Sequence, residues 1–338
     1  AMKICIYGAG AIGGYLGVEL ARAPGVEVSL IARGGHLAAI RENGLKLLID
    51  GEERVARMAA SDDPAELGPQ DTVIVTLKAH QAWQVADEMA PLLGPDTAVV
   101  TCQNGVPWWY FHALAGPHAG KRLASVDPDD RQWSAIGPER VIGCVVYPAA
   151  EIVEPGVIRH TYGNKFALGE PDGAVSERAM RLSQALESAG LKAPVLDEIR
   201  NEIWLKLWGN LCFNPISALT RATLDVVATD PGSRALARSM MLEAERIAHK
   251  LGASFRVDIE RRINGAAKVG AHRTSMLQDL ERGRGLEIDA LVTAVQEMGR
   301  LVEVDTPYID TVLALVQQLG RTQGLYPVFP EQDAVAAV

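Results

Sequence analysis

An α/β domain built on a parallel sheet, followed by an all-helical domain, is the fold class this 338-residue sequence predicts. Three observations carry that expectation. A strand, a glycine turn, a helix and a second strand open the chain; β-branched runs then recur at helical intervals; and beyond Asp197 almost every segment has helical period.

Residues 3–7 (KICIY) read as a buried strand, 12–22 as a helix and 27–32 (EVSLIA) as a second strand, giving a βαβ unit. The runs 72–77 (TVIVTL) and 97–101 (TAVVT) continue the parallel pattern, and each ends near a polar residue, Lys78 or Asn104. From 141 to 168 the text changes to short strands broken by Pro and Gly, which predicts an antiparallel extension of the same sheet. Segments 233–251 and 286–302 have helical period. The expected domains are residues 1–197, a Rossmann-type dinucleotide-binding unit, and 198–338, a helical substrate and dimerisation unit.

Composition fits a globular protein, with 48% hydrophobic and 22% charged residues. A net charge of -9 argues against broad binding to nucleic acid or anionic membrane. No apolar run approaches the roughly 20 residues needed to span a bilayer. The glycines and Glu19 of the opening segment suit a strand, turn and helix better than a signal peptide, so a cytoplasmic location is expected. Cys5, Cys102, Cys144 and Cys212 are widely spaced, with no CxxC pair to suggest a metal, and read as reduced core thiols.

Between the first strand and its helix lies Gly8-Ala9-Gly10-Ala11-Ile12-Gly13. Glycines in that context let main-chain N–H groups and a helix N-terminus meet a pyrophosphate. At the end of the second strand an acidic residue would accept the ribose 2′-OH of NAD, whereas a cation would meet the 2′-phosphate of NADP. Arg33 stands there, so NADP is the expected cofactor, with His36 and Arg41 as weaker helpers. Ligands of open α/β sheets lie beyond the carboxyl ends of the strands, where Lys78 and Asn104 fall.

The second half supplies a candidate acid. In NEIWLKLWGNLCFNPISAL (201–219) an apolar stripe accompanies a polar one, Lys206, Asn210 and Asn214 at i, i+4, i+8. A lysine held beside apolar surface loses affinity for its proton and is suited to proton transfer. It could stabilise and protonate the oxygen of a ketone receiving a hydride. The Asn214-Pro215 bond is expected to bend or end that helix. Farther on, 274–289 (TSMLQDLERGRGLEID) offers Ser275 for a substrate carboxylate and Glu287 for Lys206 or a substrate hydroxyl; without those roles it reads as a solvated helix pair.

Five motifs in order, GAGAIGG, LKAHQ, CQNGV, WLKLWGNLCFNP and SMLQD…R..EID, make the chain resemble the ketopantoate reductase family over nearly its whole length. That resemblance implies NADPH-dependent reduction of 2-dehydropantoate to pantoate. It also implies Lys206 as general acid; Asn104, Asn210, Asn214 and Ser275 as substrate contacts; Glu287 as partner of substrate or lysine; Lys78 near cofactor and substrate; and Arg33 on the 2′-phosphate. Glu243 is a weaker candidate for a supporting carboxylate.

Leu286 departs from the family's usual threonine, His272-Arg273-Thr274 precedes Ser275, and residues 107–165 look longer than in compact members. Trp108, Trp109, Tyr110 and Phe111 in that stretch either line a larger pocket for a bulkier ketone or pack onto the sheet. A β-hydroxyacid dehydrogenase and a non-catalytic NADPH-binding regulator are the competing functional classes. A homodimer is a further expectation.

Overall fold

The computed structural model describes residues 1–328. Twelve strands are described: β1 Met2–Tyr7, β2 Val26–Ile31, β3 Leu45–Ile49, β4 Glu52–Ala56, β5 Ala59–Ser61, β6 Gln70–Val75, β7 Leu93–Thr101, β8 Val141–Val146, β9 Ala149–Glu154, β10 Val157–Tyr162, β11 Phe166–Gly169 and β12 Val195–Leu196. Eight form one sheet in the order β12-β11-β8-β7-β6-β1-β2-β5. The contiguous run from β5 to β8 is parallel, and β11 returns antiparallel to β8.

The extension differs from the sequence expectation. β8 and β11 do lengthen the main sheet, but the β9–β10 hairpin joins β3 and β4 in a separate four-stranded sheet. The cause lies in α1 (Ala11–Ala21), which is buried on both sides. Gly17 lies against Leu30 of the main sheet, and Gly14 lies against Ile158 of the small one. An all-round apolar helix needs two apolar partners, and the hairpin supplies the second.

The remaining helices of the first half are α2 Gly34–Asn43, the short α3 Ala79–Ala82 and α4 Arg131–Ala135, and α5 Glu177–Ser188. The helical half contains α6 Ile199–Asn210, α7 Phe213–Thr220, α8 Leu224–Thr229, α9 Pro231–Lys250, α10 Ile259–Val269, α11 Ser275–Glu281, α12 Ala294–Leu301 and α13 Pro307–Thr322. A π turn, Asp289–Thr293, leads into α12. One cluster of buried side chains runs from Val73, Val75 and Val99 of the sheet through Trp204, Trp208 and Leu211 to Met240, Met298 and Val316. The two halves therefore share a core.

Two helix readings are corrected. The segment 201–219 is two helices, and the break falls at Leu211 and Cys212, before the proline; Pro215 occupies the first turn of α7, where its missing N–H is not needed. Residues 282–288, expected within a helix pair, are an irregular connection between α11 and the π turn. Gly283 takes φ +68°, and Leu286 N–H donates to Leu325 O at 3.1 Å.

The aromatic run 108–111 is core. All four side chains are at most 2% exposed. Trp109 Nε1 donates to Thr101 Oγ1 at 2.9 Å, and Trp204 Nε1 donates to Tyr110 Oη at 2.7 Å. The four cysteines are free and buried.

Candidate active site

Lys206 is placed by α6 and met by two strand ends. Its Nζ donates to Asn104 Oδ1 at 2.8 Å and to the carbonyl of Val146, and stands 5.6 Å from the Tyr147 ring centre. Asn104 follows β7 and Val146 closes β8, adjacent parallel strands, so both acceptors arrive at the carboxyl edge of the sheet. Burial pushes the Lys206 ammonium down to about 8, opposed in part by the electrostatics of Cys144, Glu287 and Cys102. With two N–H groups engaged, one of the ammonium's three protons is left for a ligand. A narrow cavity beside it is walled by Gly105, Pro107, Trp109, Val145 and Ile203.

The other substrate candidates divide. Asn214 Nδ2 donates to Ser275 Oγ at 3.3 Å, bringing those two together across α7 and α11. Thr274, in place of a substrate contact, caps α11 by accepting from Leu277 N–H and pairs with Ser217 Oγ. Asn210 lies half-buried one turn beyond Lys206, and its amide makes no hydrogen bond to the described residues. Glu287 makes no direct ion pair with Lys206; it lines a neighbouring cavity with Ala79, Ser125 and Ala290 and acts on the lysine through its field. Lys78 pairs with Asp279 at 2.9 Å.

Glu243 serves another purpose. Its carboxylate is 2% exposed and accepts from the N–H groups of Tyr308 and Ile309 at 3.0 and 2.9 Å. Those are unpaired donors at the start of α13, so Glu243 caps a helix rather than supporting Lys206.

An open cleft of ≈ 390 Å³ runs along the glycine loop, lined by Gly8, Ala9, Gly10, Arg33, Leu77, Gln81 and Ile152 among others. Gly8 has φ +108°, and a Cβ at Gly13 would stand 1.9 Å from Gly8 O. A Cβ at Gly10 would meet nothing within 4 Å, which leaves that flank of the loop open. No side chain among the described residues caps α1, so its first N–H groups remain available to an anion. Arg33 is exposed at the end of β2 and forms no ion pair with the described residues.

The two weaker helpers are placed differently. His36 is buried, accepting from Gly156 N–H through Nδ1 at 2.9 Å while Nε2 pairs with Ala9 O, and burial lowers its proton affinity. Arg41 donates to Ala60 O and pairs with Glu66.

The sequence reading missed Val146 and Tyr147, which stand at the carboxyl edge for the same reason as Asn104. The signal was present: VIGCVVYP is a third β-branched run ending in a polar residue. Asp62, beside β5 in the cofactor cleft, was hidden because a three-residue strand leaves too short a pattern.

A parallel sheet with an open glycine loop, joined to a helical half that sets a desolvated lysine at the strand ends, defines a two-domain dinucleotide-dependent oxidoreductase. Residues 4–173 match the family described as "Ketopantoate reductase PanE/ApbA", and residues 198–320 match its C-terminal counterpart. A 2-dehydropantoate 2-reductase of Mesorhizobium japonicum is 59% identical over 96% of this chain and 100% of its own length. A solved Ralstonia solanacearum structure described as a ketopantoate reductase covers 96% of this chain and 99% of its own, with TM-score 0.92 and 45% identity. D-mandelate dehydrogenase, solved with NADH and anilino(oxo)acetate, shares the fold at TM-score 0.81 and 23% identity, covering 96% and 100%. The chain belongs to the ketopantoate reductase family.

Proposed function

We propose that this protein reduces 2-dehydropantoate to pantoate with NADPH, and that Lys206 is the general acid. The observation that carries the reading is the desolvated Lys206 ammonium, held by Asn104 and the Val146 carbonyl at the carboxyl edge of the parallel sheet. The 59% identical relative bears the name of that activity.

The cleft fits the cofactor: the open flank at Gly10, the uncapped start of α1 and the exposed Arg33 suit a pyrophosphate and a 2′-phosphate. Bound NADPH supplies the hydride. Asn104 and Val146 hold the Lys206 ammonium so that its remaining proton meets the ketone oxygen, stabilises the charge developing there and is then transferred. The neutral amine recovers a proton from solvent. Ser275, oriented by Asn214, donates to the substrate carboxylate, Asn210 offers its unengaged amide, and Glu287 accepts from the substrate hydroxyl.

NADPH oxidation followed with 2-dehydropantoate and a panel of larger 2-oxo acids tests the proposal. Saturable turnover of 2-dehydropantoate, with NADPH preferred over NADH, is expected. Turnover of bulkier ketones alone would overturn the substrate, and no turnover of any would overturn the reaction.

A further inference from the structure

Asp279 has no part in the chemistry above, yet it is built into the boundary between the two halves. It is 6% exposed. One carboxylate oxygen stands 2.9 Å from Lys78 Nζ, and the other stands 2.9 Å from Arg284 Nε. The main-chain N–H of Arg284 returns to Asp279 O at 2.8 Å, fixing the connection after α11 around the carboxylate.

Lys78 lies 201 residues earlier, just past the carboxyl end of β6. Its main-chain N–H is held by Gln81 Oε1 at 3.1 Å. Both ends of this long side chain are therefore fixed, one from each half of the molecule. On α11 the anchor sits one turn beyond Ser275, at the i, i+4 spacing that places two side chains on one helix face. The helix that meets Asn214 through Ser275 thus also grips the lysine at the sheet edge.

We infer that Asp279 is a positioning residue: by clasping the Lys78 ammonium it fixes that lysine at the cofactor and substrate end of the sheet and sets the seating of α11 against it. The inference rests on the function proposed above. Arg284 balances the arrangement, because a carboxylate between two cations leaves one positive charge over, a suitable field for an anionic substrate or cofactor.

A kinetic cycle on the full chain with Asp279→Asn, Lys78→Met and the double variant tests this. Asp279→Asn is expected to lower kcat/KM by roughly 10- to 100-fold through a raised KM for NADPH or the 2-oxo acid, as expected for misplacement. Added to Lys78→Met it should cost little more, because it acts through that lysine. Asp279→Glu should recover part of the loss. Losses that multiply, or a lowered Tm with KM unchanged, would overturn the inference and leave a structural ion pair.

Removing the carboxylate leaves Lys78 and Arg284 facing each other, so if Asp279→Asn does not fold, Asp279→Glu takes its place in the cycle. If the wild-type protein turns over no 2-oxo acid, the proposed function fails separately, and the same cycle is read on the NADPH dissociation constant. Non-additive Kd changes then support the clasp, and additive or absent ones overturn it.

Discussion

In the proposed reaction Lys206 gives its proton from the charged form, and burial sets that form's limit at about 8. The lowered value means that the ammonium dominates below it and is lost as pH rises through it. The rate of ketone reduction is therefore expected to be level on the acid side of about 8 and to fall on the alkaline side, in a pH profile of kcat/KM. Arg33 is the residue proposed to carry the cofactor choice at the same scale. Arg33→Ala is expected to raise KM for NADPH about 10- to 100-fold with that for NADH little changed, the loss of a charge-assisted contact. An equal rise for both cofactors would remove the 2′-phosphate from its role.

At the scale of elements, the strand ends and the loops between halves hold the residues proposed for the chemistry. Gly105 takes φ +89°, and a Cβ there would stand 2.5 Å from Ala290 O, next to the 2.9 Å bond from Val106 N–H to that same oxygen. Gly105→Ala should therefore shift Asn104 or the π turn and lower kcat/KM by about 10- to 100-fold, with the global fold retained by circular dichroism. The opening βαβ unit and its glycine loop were legible because strand, turn and helix signals agree locally. The β9–β10 hairpin was not, since its partner sheet is formed by residues about a hundred positions earlier. Lys78 and Asn104 could be placed from the strand-end rule and Lys206 from its helical stripe, whereas the role of Glu243 depended on a helix start 65 residues away that no local pattern reports.

On the scale of the whole molecule, the buried cluster that crosses from the sheet to the last helix argues for one cooperative unit. Calorimetry should show a single unfolding transition, and NADPH at about 100 times its Kd should stabilise it by ~2.7 kcal/mol. Two resolved transitions would mean that the halves unfold independently despite the shared core. The proposed reaction depends on the desolvated Lys206 ammonium that this assembly sets at the sheet edge. Single-turnover NADPH oxidation by Lys206→Ala with 2-dehydropantoate should show a rate lowered about 10²- to 10⁴-fold with NADPH affinity retained; a rate close to wild type would take the general-acid role from Lys206.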